Sequence, residues 1–96
     1  MTRGRLPDGW TIERVAEAAS DPEAHLLDLE RSVWLRGLDE PVELEPTVII
    51  GFAGGICLVQ EEADGMWYMG QVDDTDGSIH CWGHYGDDLG NAIAGL

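Results

Sequence analysis

Apolar residues at helical spacing follow the first ten residues of the chain. Ile12, Val15, Ala16 and Ala19 would share one helix face, and Thr11 immediately before them is a good N-cap residue. The pattern therefore predicts an amphipathic helix that begins after Thr11.

The segment 20–23 has the form of a capping box with proline in the first turn, which predicts the end of this helix and the start of a second one. The second helix is expected to run to Gly37, with three apolar residues on one side, Leu26, Leu29 and Val33. The segment 32–36 also suits a strand, because Val and Trp favour strands, and the sequence leaves these two alternatives open.

Alternating or β-branched runs separated by Gly- and Asp-rich turns predict strands in the rest of the chain, at 42–45, 47–52, 56–60, 66–72 and 78–85. A closing helix follows, lined on one face by Leu89, Ala92, Ile93 and Leu96. The expected fold class is α+β: an antiparallel meander of four to five strands with two N-terminal helices and one C-terminal helix packed on it.

The length of 96 residues is typical of a single domain, in which 1–7 is expected to form a flexible arm. The longest apolar run, 48–59, is too short to span a bilayer, and no apolar signal region follows the N-terminus. Two cysteines do not form a disulfide framework. We therefore expect a reduced, cytoplasmic protein.

Charge is the strongest global feature. Residues 1–36 contain five Arg and seven acidic residues (net −2), whereas residues 37–96 contain twelve acidic residues and no Lys or Arg (net −12), for a total of −14. Such a field repels nucleic acid and anionic membranes and attracts basic proteins. The alternative interpretation is that the acidity serves solubility alone.

One cluster has residue types that bind metals, His80-Cys81-x-x-His84 together with Cys57. Neighbouring residues of a strand point to opposite faces, so His80 and Cys81 would diverge. The same alternation places His80, Trp82 and His84 on one face. We therefore predict no metal site and no cofactor.

The acidic segment 73–77 resembles a calcium-binding loop but does not match the EF-hand pattern, because Val72 and Gly83 occupy the positions that require acidic ligands. A hairpin turn is the better interpretation. No serine or cysteine is paired with a base in a recognisable catalytic motif, so the sequence favours a protein that is not an enzyme.

An exposed aromatic patch with an acidic rim is typical of a protein–protein interface. The sequence therefore predicts a small acidic module that binds a basic protein, in its most concrete form an inhibitor or immunity-type protein of a basic enzyme that acts on nucleic acid. The expected binding residues are Asp73, Asp74, Asp76, Asp87 and Asp88 together with Tyr68, His80, Trp82, His84 and Tyr85.

Two alternatives remain at this point. The chain would be a homo-oligomeric structural or accessory subunit, with small residues on its last helix (Gly90, Ala92, Ala94) for packing against a copy of itself. Otherwise it would hold a small-molecule pocket or an active site around His80 and His84.

Overall fold

The computed structural model describes residues 6–7, 9–36 and 40–96. Within these ranges the chain forms two α-helices, α1 (Ile12–Ala19) and α2 (Leu89–Ala94), and a short 3₁₀ turn at Ala53–Gly55. It also forms seven strands, β1 (His25–Leu26), β2 (Val33–Leu35), β3 (Val42–Glu43), β4 (Pro46–Gly51), β5 (Ile56–Glu61), β6 (Trp67–Val72) and β7 (Ile79–His84).

The seven strands form one mixed sheet in the order β1-β4-β5-β6-β7-β2-β3. Neighbouring strands are antiparallel except β2 and β7, which run parallel. β3 and β4 lie far apart in this order, yet Leu44 and Glu45 alone separate them in the chain. The sheet therefore curls into a half-barrel. Two backbone hydrogen bonds support the closure, from Leu44 N–H to the Val33 carbonyl and from Glu62 N–H to the Glu45 carbonyl, both 2.8 Å.

This architecture contradicts the predicted fold class. The four hairpin strands β4–β7 lie where the alternation predicted them, but they belong to a seven-stranded mixed sheet and not to an antiparallel meander of four to five strands. The described residues contain two α-helices where the sequence predicted three, because the second N-terminal helix does not form.

Side-chain hydrogen bonds explain why residues 20–26 leave the helix. Ser20 is the C-cap of α1 in the left-handed conformation (φ 53°) and does not start a new helix. Asp21 accepts one hydrogen bond from Glu23 N–H and another from Ala53 N–H, each 2.9 Å. Asp side chains compete in this way with helical hydrogen bonding. The segment is thereby tied to the β4–β5 hairpin.

The open question about 32–36 is resolved in favour of a strand. Val33 and Leu35 in β2 pair with Ile79 and Cys81 of β7, and Val33 is fully buried. The expected helix end at Gly37 lies outside the described residues. The predicted flexible arm also lies largely outside them, at 1–5, although Leu6 packs against the buried core next to the helices.

Both faces of the sheet bury apolar side chains. On the helix face, α1 and α2 cover the central strands β4, β5 and β6, with a cluster that includes Trp67, Met69 and Val15. On the opposite face a second cluster includes Cys57, Cys81 and Tyr68. The segment that links β1 to β2 packs Leu27 and Leu29 against this second cluster, so it crosses the opposite face.

Both helices have side-chain N-caps. Thr11 accepts a hydrogen bond from Arg14 N–H and Asp88 accepts one from Asn91 N–H, at 3.1 and 3.0 Å. Neither helix of the described residues is long and apolar enough to cross a membrane.

Candidate functional site

A β-bulge in β7 lies at the centre of the candidate site. Cys81 pairs with Gly70 of β6 and Gly83 pairs with Met69, so Trp82 is an additional residue on β7. Such a bulge bends the strand and redirects a side chain, often next to a functional site. Among the Phe, Trp and Tyr residues that the structure describes, Trp82 has the most exposed side chain, at 49%.

The bulge also separates the two histidines of β7. Ile79 and Cys81 are buried on the opposite face, so His80 between them lies on the helix face. His84 contacts the ring of Tyr68, which belongs to the opposite-face cluster, with 5.6 Å between the ring centroids. The expectation that His80 and His84 share a face was therefore wrong, because one inserted residue reverses the alternation.

Tyr68 does not lie in an exposed patch. It is 7% exposed, and its hydroxyl donates a 3.1 Å hydrogen bond to Asp64 Oδ2. The pKa of Tyr68 is raised mainly by burial and, to a smaller extent, by this hydrogen bond to a carboxylate. The side chain is part of the opposite-face core.

A row of side chains crosses the far end of the sheet on the helix face. Register places Gln71 opposite His80, His80 beside Trp34, and Trp34 opposite Glu43. Trp34 lies between Val33 and Leu35, which both pack on the opposite face, so alternation directs it to the helix face. The helix-side core takes its described sheet residues from β4, β5 and β6, and this row lies mainly beyond it on β7, β2 and β3.

Arg36 at the end of β2 lies beside the bulge, because its N–H donates a 3.0 Å hydrogen bond to the carbonyl of Cys81, the residue before Trp82. We use the name tryptophan surface for five residues, Trp34, Arg36, Glu43, His80 and Trp82. Sequence reasoning missed Trp34, and the strand alternative for 32–36 was the signal that could have found it.

The turn between β6 and β7 borders the tryptophan surface with carboxylates. Asp76 Oδ1 accepts hydrogen bonds from Ser78 N–H (2.9 Å) and from the Ser78 hydroxyl (2.7 Å), and His80 Nε2 lies 3.1 Å from the same hydroxyl. Asp73 Oδ2 is 4.0 Å from His80 Nε2. Because the Ser78 hydroxyl donates to Asp76, His80 acts as donor to Ser78 and not as its base.

Hydrogen bonds within this turn lower the pKa of both carboxyl groups. Asp73 accepts from the hydroxyl and the N–H of Thr75, and Asp76 accepts from Ser78. Both aspartates therefore stay ionised at neutral pH and order the turn. The third aspartate, Asp74, is exposed and lies on the wall of a separate cavity.

The remaining predicted binding residues lie near α2. Asp88 caps this helix and Asp87 before it is exposed. Tyr85 is 38% exposed, and its ring packs closely against Gly95 at the end of the helix. These three residues are therefore not part of the tryptophan surface as defined.

The small residues of α2 are largely used within the chain. Ala92 is fully buried in the helix-side core, and a β-carbon on Gly90 would lie 3.2 Å from Asp88 Oδ2 and 3.7 Å from the ring of Trp10. Ala94 is exposed. The face that the sequence offered for self-association is thus mostly covered by the chain itself.

Cys57 and Cys81 lie in the opposite-face core as free thiols, and burial raises the pKa of each to about 12. Neutral thiols of this kind are poor metal ligands and poor nucleophiles. In the described part of the chain, no three His, Cys, Asp or Glu side chains are grouped so that they could hold a metal ion.

Comparison of the chain with protein-family models, with curated proteins and with solved structures found no match. The fold and the site therefore define this protein only as a mixed half-barrel with an aromatic, acid-bordered surface at one end of its sheet.

Proposed function

We propose that this protein binds a basic protein through the tryptophan surface. The observation that supports this most directly is the half-exposed Trp82 on a bulge of β7, the strand that pairs with the Trp34 strand β2, on a part of the sheet that the helix-side core does not reach. A tryptophan is the side chain most often found as an energetic anchor at the centre of an interface.

The charges around the anchor favour a basic partner. Glu43 faces Trp34 across the β2–β3 pair, and Asp73 and Asp76 flank His80 at the other end of the row. Arg36 is the one cation among the named residues of the surface, so the local balance is negative, in line with the net charge of −14. Complementary charge raises the association rate and aligns the partner.

In its most concrete form the partner is a basic enzyme that acts on nucleic acid, and this protein is its inhibitor or immunity protein. A basic groove that normally neutralises phosphates would receive Glu43, Asp73 and Asp76, while Trp82 fills an apolar pocket between the bound charges. The acidic field that excludes nucleic acid from this chain is the same field that would compete with it on the partner.

The first experiment identifies and then measures the partner. The chain is immobilised and incubated with native host extract at low salt, and a basic protein that is lost at high salt is purified and titrated against the chain. We expect Trp82→Ala to weaken that purified complex at least about 30-fold, as for an interface anchor worth roughly 2 kcal/mol. Glu43→Lys should weaken it and reduce its salt dependence.

Leu26→Ala is the matched control, because Leu26 is similarly exposed (44%) but lies on β1, at the other end of the strand order. It should leave the affinity unchanged. An affinity that is insensitive to both Trp82→Ala and Glu43→Lys would contradict the proposal, as would a partner whose binding does not depend on salt.

A further inference from the structure

A cavity of about 340 Å³ opens at the end of the half-barrel beside the β4–β5 hairpin, and none of the five residues of the tryptophan surface lines it. The β4–β5 hairpin forms one wall from Gly51 to Ile56, β1 contributes His25, and the end of β6 with its turn contributes Val72 and Asp74. Clefts at the mouths of barrels are common binding sites for small groups.

His25 presents a hydrogen-bond acceptor at this cavity. Its Nδ1 lies 2.7 Å from the carbonyl oxygen of Glu23, and because a carbonyl only accepts, Nδ1 carries the hydrogen. In the neutral ring Nε2 then has a free lone pair. The ring lies against Gly51, where a β-carbon would approach Cε1 and Nε2 to 3.0 and 3.1 Å, so packing as well as hydrogen bonding orients it.

The charged groups of the cavity wall also favour a cationic ligand. Glu23 and Asp74 line it, and both are exposed carboxylates. Arg31 is the only cation of the described lining, and its head group is engaged: Nη1 donates to the Gly77 carbonyl (2.9 Å) and Nη2 to Asp28 Oδ2 (3.1 Å). Its Nε is buried and has no hydrogen-bond partner among the described residues, so it is one unpaired donor in the wall. The carboxylates of Glu23 and Asp74 and the Nε2 atom of His25 are acceptors, and they outnumber this donor.

The rest of the wall is apolar and suits an alkyl chain. Leu27, Phe52, Ile56 and Val72 contribute aliphatic or aromatic surface. A flexible stem of methylene groups packs against such a surface while its charged head remains near carboxylates and solvent.

We propose that this cavity binds an ammonium or guanidinium group carried on an aliphatic stem, with the head between Glu23, Asp74 and His25 Nε2 and the stem on the apolar wall. Such a group is supplied either by a Lys or Arg side chain of a protein or by a free polyamine. The proposal does not rest on the function proposed above, because the cavity and the tryptophan surface share no residue.

The test uses three probes of five carbon atoms each, n-pentylamine, n-pentanol and pentanoate, titrated into the 96-residue chain by ¹H–¹⁵N NMR. We expect pentylamine to shift the amide signals of Gly51, Gly54 and Gly55 and to bind more tightly than pentanol. Pentanoate should bind most weakly. Equal or tighter binding of pentanoate would overturn the proposal.

Charge-removing variants locate the head group. Glu23→Gln and Asp74→Asn should each weaken pentylamine about twofold to fivefold, the range of a solvent-exposed ion pair. Glu17→Gln on α1, which removes an equal charge outside the cavity lining, should have no effect. Unchanged affinity in both cavity variants would contradict the assignment.

Two further probes distinguish the sources of the cation. Tighter binding of Nα-acetyl-lysine methylamide than of spermidine assigns the site to a protein side chain, and the reverse order assigns it to free polyamines. Failure of both to bind would overturn the proposal. Trp82→Ala should leave pentylamine binding unchanged, so loss of this site and loss of the tryptophan surface are separately observable.

Discussion

The sulfur of Cys81 occupies the space above its cross-strand partner Gly70, where a β-carbon would come within 2.9 Å of Sγ and 2.8 Å of the His80 carbonyl oxygen. Gly70 thereby allows β7 to approach β6 at the bulge that exposes Trp82. This close approach links the core on one face of the sheet to the candidate site on the other.

We expect Gly70→Ala to destabilise the fold by about 1–3 kcal/mol, because the added methyl group overpacks against backbone that cannot move away. Gly83→Ala is the matched control, since a β-carbon there meets no atom within 4 Å. Urea denaturation of both variants measures the difference. Equal stabilities of the two variants would show that β6 and β7 can move apart at Gly70 with little loss of free energy of unfolding.

The buried thiols predict a loss of stability at alkaline pH. The pKa of Cys57 and of Cys81 is raised to about 12 by burial, so between about pH 9 and pH 12 the unfolded chain releases thiol protons that the folded chain retains. The free energy of unfolding should fall across this range by up to about 1.4 kcal/mol per pH unit for each thiol. Below pH 8 the thiols should have no such effect.

Urea unfolding at pH 8, 9 and 10 checks this prediction. A Cys57→Ala/Cys81→Ala variant should be less stable at pH 8, but its free energy of unfolding should fall less steeply as the pH rises. In the folded wild-type protein both thiols should also resist a disulfide reagent at pH 8 and react once urea unfolds the chain. If the free energy of unfolding falls equally steeply in the variant without the cysteines, the pH dependence comes from other groups.

The carboxylates of the acidic turn predict the opposite pH dependence. The pKa of Asp76 is lowered by its hydrogen bonds from Ser78, so its stabilising contribution is present above the ordinary aspartate pKa and is lost as the pH falls through the lowered value. Asp76→Asn should therefore lower the melting temperature at pH 6 and make little difference at pH 2. Asp74→Asn, on the same turn, should change it less at pH 6.

The two aspartates before α2 should behave differently from each other. Asp88→Ala removes an N-cap and should cost about 1 kcal/mol of stability, because Asn91 N–H loses its acceptor. Asp87→Ala should be nearly neutral. Thermal unfolding of both variants tests this, and comparable losses would mean that helix-dipole charge and not the cap stabilises α2.

Features of the candidate site that depend on neighbouring residues in the chain were predictable from the sequence. The turn at 73–77 is recognisable from its Asp and Gly residues, and Trp82 and His80 were expected on the surface strand. The opposite facing of His80 and His84 was not predictable, because the bulge that causes it arises from the pairing of β7 with β6 around Gly70. The cavity also brings together residues from 23 to 74 that no sequence window contains.

The sequence by itself determined α1, the hairpin strands from β4 to β7, the closing helix and the strongly acidic charge, since these follow from periodicity, turn residues and composition. The tertiary structure alone decided the path of residues 20–36. Asp21 accepts a hydrogen bond from the N–H of Ala53, and β2 pairs in parallel with β7. Both interactions join residues more than 30 positions apart in the chain. The helical spacing of Leu26, Leu29 and Val33 does not produce a helix. The long-range hydrogen bonds and the burial of Val33 stabilise the observed structure by more than a weak local preference for helix.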